Sequence, residues 1–164
     1  MHILRIVLIL IASITPAHSQ VFDSSFFDWS IYEIKQEKEG DKLCYMISNA
    51  NKTNTNHNTR KQPYIMITKY QKTGDEEVSI YSGFEYKGNG HLTALVDNKQ
   101  FTLKTKKDLA WSPSKADDAN LIESMLSGSV IKVRSDSSFG TYAIDEYSLK
   151  GVARAYSRIR AMCE

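Results

Sequence analysis

Eight short runs of β-branched and aromatic residues, each ended by a turn-forming break, point to an antiparallel β domain. The runs span residues 27–35, 42–49, 64–70, 77–82, 91–96, 100–105, 130–134 and 141–147. Period-two alternation marks several as half-buried strands: Trp29 with Ile31, Val78 with Ile80, Leu92 with Ala94 and Val96, Phe101 with Leu103, and Ile131 with Val133. Leu43 to Ile47 and Tyr64 to Ile67 are instead apolar on both faces, the pattern of central strands. Lys87-Gly88-Asn89-Gly90 and Asp97-Asn98 tolerate positive φ, and the second joins two runs at hairpin spacing.

Two segments follow the helical period. Leu121, Ile122, Met125 and Leu126 form one stripe, with Asp117 and Asp118 at the positive end of the helix dipole and Gly128 placed to stop it. Val152, Ala155, Tyr156, Ile159 and Cys163 form the other, with Ser148 as N-cap and Lys150, Arg154, Arg158 and Arg160 on the opposite face. The expected fold is mostly β: an antiparallel β-sandwich with one internal helix and a C-terminal helix, the latter packed on the sheet near the strand of Cys44.

The first residues follow a different logic. Arg5 and an apolar run from Ile6 to Ile14, broken by Ser13, end in Thr15-Pro16-Ala17-His18-Ser19, the layout of a signal peptide cut before Gln20. The run falls short of the roughly 20 apolar residues a spanning helix needs, so no membrane span is expected after cleavage. Residues 1–19 are thus read as a signal peptide and 20–164 as a single domain. Removing 19 of the 164 residues leaves 145, with 20 basic against 19 acidic side chains once Arg5 is gone. The expected location is periplasmic or secreted, with outer-membrane association as a variant. Cys44 and Cys163 are the only cysteines, and oxidising conditions would pair them. The alternative is two buried thiols that never meet. Residues 48–62 hold almost no apolar group and no acid, the composition of a mobile surface loop.

Reaction chemistry is hard to find. After cleavage His57 and His91 are the only histidines, and neither His-x-x-x-His nor Cys-x-x-Cys occurs, so no metal or cofactor is expected. Gly-x-Ser-x-Gly and phosphate-cradling glycine patterns are missing. A formal charge of +2 is too small to imply nucleic acid as partner. Glu76, Glu77, Glu85, Asp145 and Glu146 are the candidates for the paired carboxylates of a glycan hydrolase, although adjacent acids on a strand point to opposite faces. Lys104, Lys106 and Lys107, with Arg154 and Arg158 on the last helix, are candidate contacts for a polyanion such as a glycosaminoglycan or a lipopolysaccharide headgroup. Lysines at a strand end equally protect a sheet edge. Trp29, Trp111, Tyr81, Phe84, Tyr86, Tyr142 and Tyr147 suit core packing better than a carbohydrate platform.

Several motifs run in a recognisable order: Asp28-Trp29 on the first expected strand, Cys44-Tyr45, Glu77-Val78-Ser79-Ile80 with Ser82-Gly83-Phe84, and Ala110-Trp111. Leu121-Ile122-Glu123-Ser124-Met125, Ser138-Phe139-Gly140-Thr141 and Asp145-Glu146-Tyr147-Ser148-Leu149-Lys150-Gly151 follow. With these the chain resembles the invasion-associated locus B family of exported bacterial proteins across nearly all of residues 20–164. It departs at Tyr32 and Glu33, where many members carry a cysteine, and at Val152, where an aromatic is common. The resemblance implies a β-sandwich of the periplasm, outer membrane or secreted fraction, with some members linked to host-cell invasion, and it implies no catalytic residues. Within the last motif Gly140-Thr141 would open the final strand, Asp145 would hydrogen-bond locally, Tyr147 would pack beneath the last helix, and Gly151 would allow close helix-to-sheet approach. The expected function is that of a non-enzymatic exported protein binding a protein or glycan partner at the bacterial envelope or host surface. An envelope glycan hydrolase using paired carboxylates is the competing reading.

Overall fold

The computed structural model describes residues 20–35, 42–88 and 90–164. Residues 1–19, which carry the expected signal peptide, and Asn89 of the expected turn lie outside them. The described residues open with a hairpin of β1 (Gln20–Phe26) and β2 (Trp29–Lys35), turned at Phe27 in the left-handed region with φ 54°. The first expected strand, 27–35, is thus β2, with Asp28 in the turn and Trp29 opening the strand. A register shift between Phe22 and Ser24 breaks the alternation of β1, which is why period-two counting passes over it.

The other expected strands appear within a few residues of their expected bounds: β3 (Lys42–Asn49), β5 (Tyr64–Tyr70), β6 (Glu76–Tyr81), β7 (His91–Val96), β8 (Lys99–Lys106), β10 (Val130–Asp136) and β11 (Tyr142–Ser148). Two more, β4 (Lys52–Thr55) and β9 (Leu109–Trp111), are short. The expected mobile loop over residues 48–62 is corrected by β4, which pairs along β11 from Ala143 to Glu146. Its asparagines and threonines contribute ladder bonds and side-chain acceptors, so the segment is held without apolar burial.

The strands form one antiparallel sheet in the order β1-β2-β3-β5-β6-β9-β8-β7-β10-β11-β4. Only Ala50 and Asn51 separate β3, third in that order, from β4, which is last. The sheet must therefore fold back on itself, and Asn51 N–H donates to the Glu146 carbonyl (3.0 Å) at the seam. Two halves then face each other as in a sandwich. Ile31, Met46, Ile65, Ile67 and Ile80 from one half meet Leu103, Ile131, Val133 and Tyr147 from the other, all fully buried. Trp29 joins the halves as well, donating from its indole nitrogen to the Ser148 carbonyl (3.1 Å).

Helix α1 (Lys115–Ser127) packs against β6 and buries Leu121, Ile122 and Met125. Ser114 caps it, accepting from Asp117 N–H, and Gly128 ends it in an extended conformation. Asp118 does more than face the helix dipole: it is buried and accepts from Val78 N–H (2.9 Å), a donor of β6 beyond the reach of β9. Helix α2 (Val152–Met162) lies across β1, β2, β3 and β5. Its buried stripe is Val152, Ala155 and Ile159. Three further ties fasten it: the Cys44–Cys163 disulfide, the bidentate Arg158–Asp23 pair (2.6 and 2.9 Å), and the Tyr156 hydroxyl donating to Glu76 (2.6 Å).

Ser148 is not the N-cap of α2. It ends β11 and accepts from Lys150 N–H (3.2 Å), while Gly151 takes the cap position with φ 92°. A Cβ there would lie 2.2 Å from the Phe26 carbonyl oxygen. Gly151 thus permits close approach of the helix start to the β1–β2 turn as well as the left-handed backbone.

Gly151→Ala is expected to cost about 1–3 kcal/mol, through backbone strain and the displaced turn, and urea unfolding measures it. Reduction of the disulfide, which spans 119 residues, is expected to cost about 2–5 kcal/mol, read from unfolding curves with and without reductant.

Candidate functional site

Paired residues of an antiparallel ladder share a face, so the register fixes what stands outside the first half of the sheet. One row across the strands reads Ser30, Ile47, Met66, Ser79, Trp111, Lys104. The next reads Asn49, Tyr64, Tyr81, Leu109, Lys106. On the other side of the first row stand Tyr32, Tyr45 and Thr68. The rings are organised: Tyr32 and Tyr45 stack at 5.2 Å, Phe22 meets Tyr32 edge-on at 5.5 Å, and Tyr64 and Tyr81 stack at 5.0 Å. Burial, with the neighbouring phenols, pushes the Tyr45 and Tyr64 hydroxyls above the usual range, so both stay neutral donors. The outer face of the second half is mixed: Thr93, Thr102, Gln100, Lys132, Arg134 and Glu146 stand there together with the half-buried Val130, Leu95, Ile144 and Tyr142.

Two depressions end this face. One of about 220 Å³ is lined by Asp28, Ser30, Tyr32, Tyr45 and Asn49 among others. The other, about 400 Å³, is lined by Lys61, Tyr81, Phe84, Glu85, Lys107 and Asp108 among others. Four strand spacings of about 4.8 Å separate β2 from β9, so the face is roughly 19 Å across. Trp111 and Tyr81 therefore belong to the outer face and not to the core, as does Tyr142 on the second half, beneath Arg134, whereas Trp29, Phe84, Tyr86 and Tyr147 are buried as expected.

The basic candidates divide into two groups. Lys104 and Lys106 project from the outer face of β8, and Lys107 follows in the left-handed region with φ 55°. Because β8 lies between β7 and β9, these lysines protect no edge. Arg154 and Arg158 lie on α2, which packs on the opposite face of the sheet, and Arg158 is already paired with Asp23. The acids do not converge either. Glu76 meets Tyr156 and Lys69, Glu146 meets Lys132 and Lys52, and Glu85 is exposed. Glu77 lies nearer Asp118, and burial together with that carboxylate raises its pKa. Among the described residues no group of three or more His, Cys, Asp or Glu could hold a metal ion.

Asp145 bonds across the fold and not locally. Its side chain, 1% exposed, forms a bidentate pair with Arg60, itself 7% exposed, and accepts from Thr53. Arg60 also donates to the Ser82 carbonyl and lies 5.0 Å over the Phe84 ring. His57, which falls in the segment expected to be a mobile surface loop, is instead half-buried beside Phe84 (5.1 Å), with Nδ1 2.6 Å from the Thr141 hydroxyl. Nearby, burial pushes the Tyr86 hydroxyl up to about 12 and raises that of Tyr147, which has no hydrogen-bond partner, well above its ordinary range. The clue in the sequence is an acid at a core-facing position of β11, between Ala143 and Tyr147, which requires a buried cation.

Arg60→Met should leave Asp145 uncompensated and cost about 3–5 kcal/mol in denaturant unfolding. Acidification tests a second pair. Arg158 and Ser24 hold the Asp23 carboxyl at about 2, below its ordinary 3.8. Its stabilisation is therefore present above about pH 4 and lost as pH falls towards 2, and the slope in that window should flatten in Asp23→Asn.

Comparison of the chain with models of known protein families, with curated proteins and with solved structures finds no match.

Proposed function

We propose that the chain is an exported, non-enzymatic domain that binds a protein or glycan partner at the bacterial envelope or host surface, as its resemblance to the invasion-associated locus B proteins implies. The observation that carries this reading is the outer face of the first half-sheet, where Tyr32, Ile47, Met66, Tyr81 and Leu109 stand on strands whose other face already serves the core. A solvent-only role predicts mostly polar residues there, whereas here the rings and aliphatic side chains stand on adjacent strands. A contiguous apolar patch is a mark of an interaction surface. The disulfide suits an oxidising compartment. No helix among the described residues is long and apolar enough to cross a membrane.

Met66→Glu places a charge in the middle of the face without touching the core. Retention of the oxidised protein on envelope preparations or host-cell surfaces should fall at least tenfold, while Thr102→Glu on the other half leaves it unchanged. Equal retention of both variants, with unaltered thermal unfolding, would contradict the reading.

A further inference from the structure

We infer that the outer face takes a linear oligosaccharide carrying acidic groups, seated where β6, β8 and β9 meet Lys61; this rests on the reading of that face as the binding face. The cations come first. Lys104 and Lys106 stand two residues apart on one side of β8, about 7 Å along the strand, within reach of successive acidic groups on one chain. Lys61 and Lys107 line the adjoining depression of about 400 Å³. None of these four makes an ion pair among the described residues, whereas Lys42, Lys69, Lys132 and Arg158 each have an acid partner. The result is a local positive field on a domain that is almost neutral overall.

The other groups narrow the class of anion. Glu85 and Asp108 line the same depression as Lys61 and Lys107. A polyphosphate or a nucleic-acid strand would set its charge against them, whereas sugar hydroxyls donate to carboxylates. Tyr81 adds a ring held in place by its stack with Tyr64, and Trp111 stands in register with Lys104. Flat aromatic surface suits the C–H face of a pyranose. Ammonium groups for acidic substituents, carboxylates for hydroxyls and rings for sugar faces together fit an acidic glycan better than any one of its parts. Sulfated or uronic glycans of a host surface and phosphorylated core oligosaccharides of a bacterial envelope share this chemistry.

Trp111 is the natural reporter, because the other tryptophan, Trp29, is fully buried. The oxidised protein is titrated with heparin hexasaccharide, with phosphorylated lipopolysaccharide core oligosaccharide, with neutral maltohexaose and with hexaglutamate. At least one of the two acidic oligosaccharides should quench or shift the emission and weaken with added salt. The double variant Lys104→Glu/Lys106→Glu, at exposed positions that leave folding intact, should lose at least tenfold in affinity, as should Tyr81→Ala. Arg154→Glu, on the opposite face, should bind as the parent does. Binding of the heparin fragment alone identifies a host-surface source, and binding of the core fragment alone an envelope source. Hexaglutamate binding equal to that of the glycans, an unchanged double variant, or no binding of either acidic oligosaccharide overturns the inference. In that last case, surface retention still abolished by Met66→Glu leaves the binding face standing and removes only the glycan; unchanged retention removes both.

Discussion

One guanidinium closes the sheet. Arg60 reaches from the segment after β4 to Asp145 on β11, to Thr53 on β4 and to the Ser82 carbonyl beyond β6, and it covers the Phe84 ring. The pair is nearly inaccessible to water, so its desolvation offsets much of its Coulombic gain. Its value is positional. Strand β4 is short, carries no apolar anchor and sits at the end of the pairing order, and the Arg60 network holds it where the sheet folds back. Tyr86 and Tyr147 lie in the field of the same buried charge pair, which makes that end of the core polar.

Closure decides which faces remain. The inward face of the first half meets the second half over part of its area, and α2 covers the rest, tied by the disulfide, Arg158–Asp23 and Tyr156–Glu76. Nothing within the described chain covers the outward face. On it Leu109 is exposed, Tyr32, Ile47, Tyr64, Met66 and Tyr81 are half-buried and Tyr45 is buried, and the unpaired lysines of β8 extend the same surface. A contiguous set of such residues is the kind of surface on which the proposed partner would dock.

Much of this architecture was legible from the residues. Alternation located the longer strands and both helices, and two cysteines in an oxidising context gave the staple. Strand β1 escaped because its bulge at Asp23 resets the period, and β9 because three residues are too few to show one. Residues 48–62 looked like free loop because composition reports burial and not hydrogen bonding, and β4 is held by the ladder and by Arg60. The site was legible only in part. Lys104, Lys106 and Lys107 could be singled out as a cluster, but their place on an interior strand, and the separation of Arg154 and Arg158 on another face, depend on long-range pairing. Leu43 to Ile47 and Tyr64 to Ile67, apolar on both faces, are indeed interior strands, but which of their two faces the second half would cover depends on where the sheet folds back.

Amide chemical-shift mapping of the oxidised protein against an acidic hexasaccharide tests the location of function most directly. Shifts gathered on β5, β6, β8 and β9, centred on Met66, Tyr81, Lys104 and Trp111 with α2 unperturbed, are the predicted result. Shifts gathered on α2 around Arg154, or on β4, β10 and β11, would contradict it.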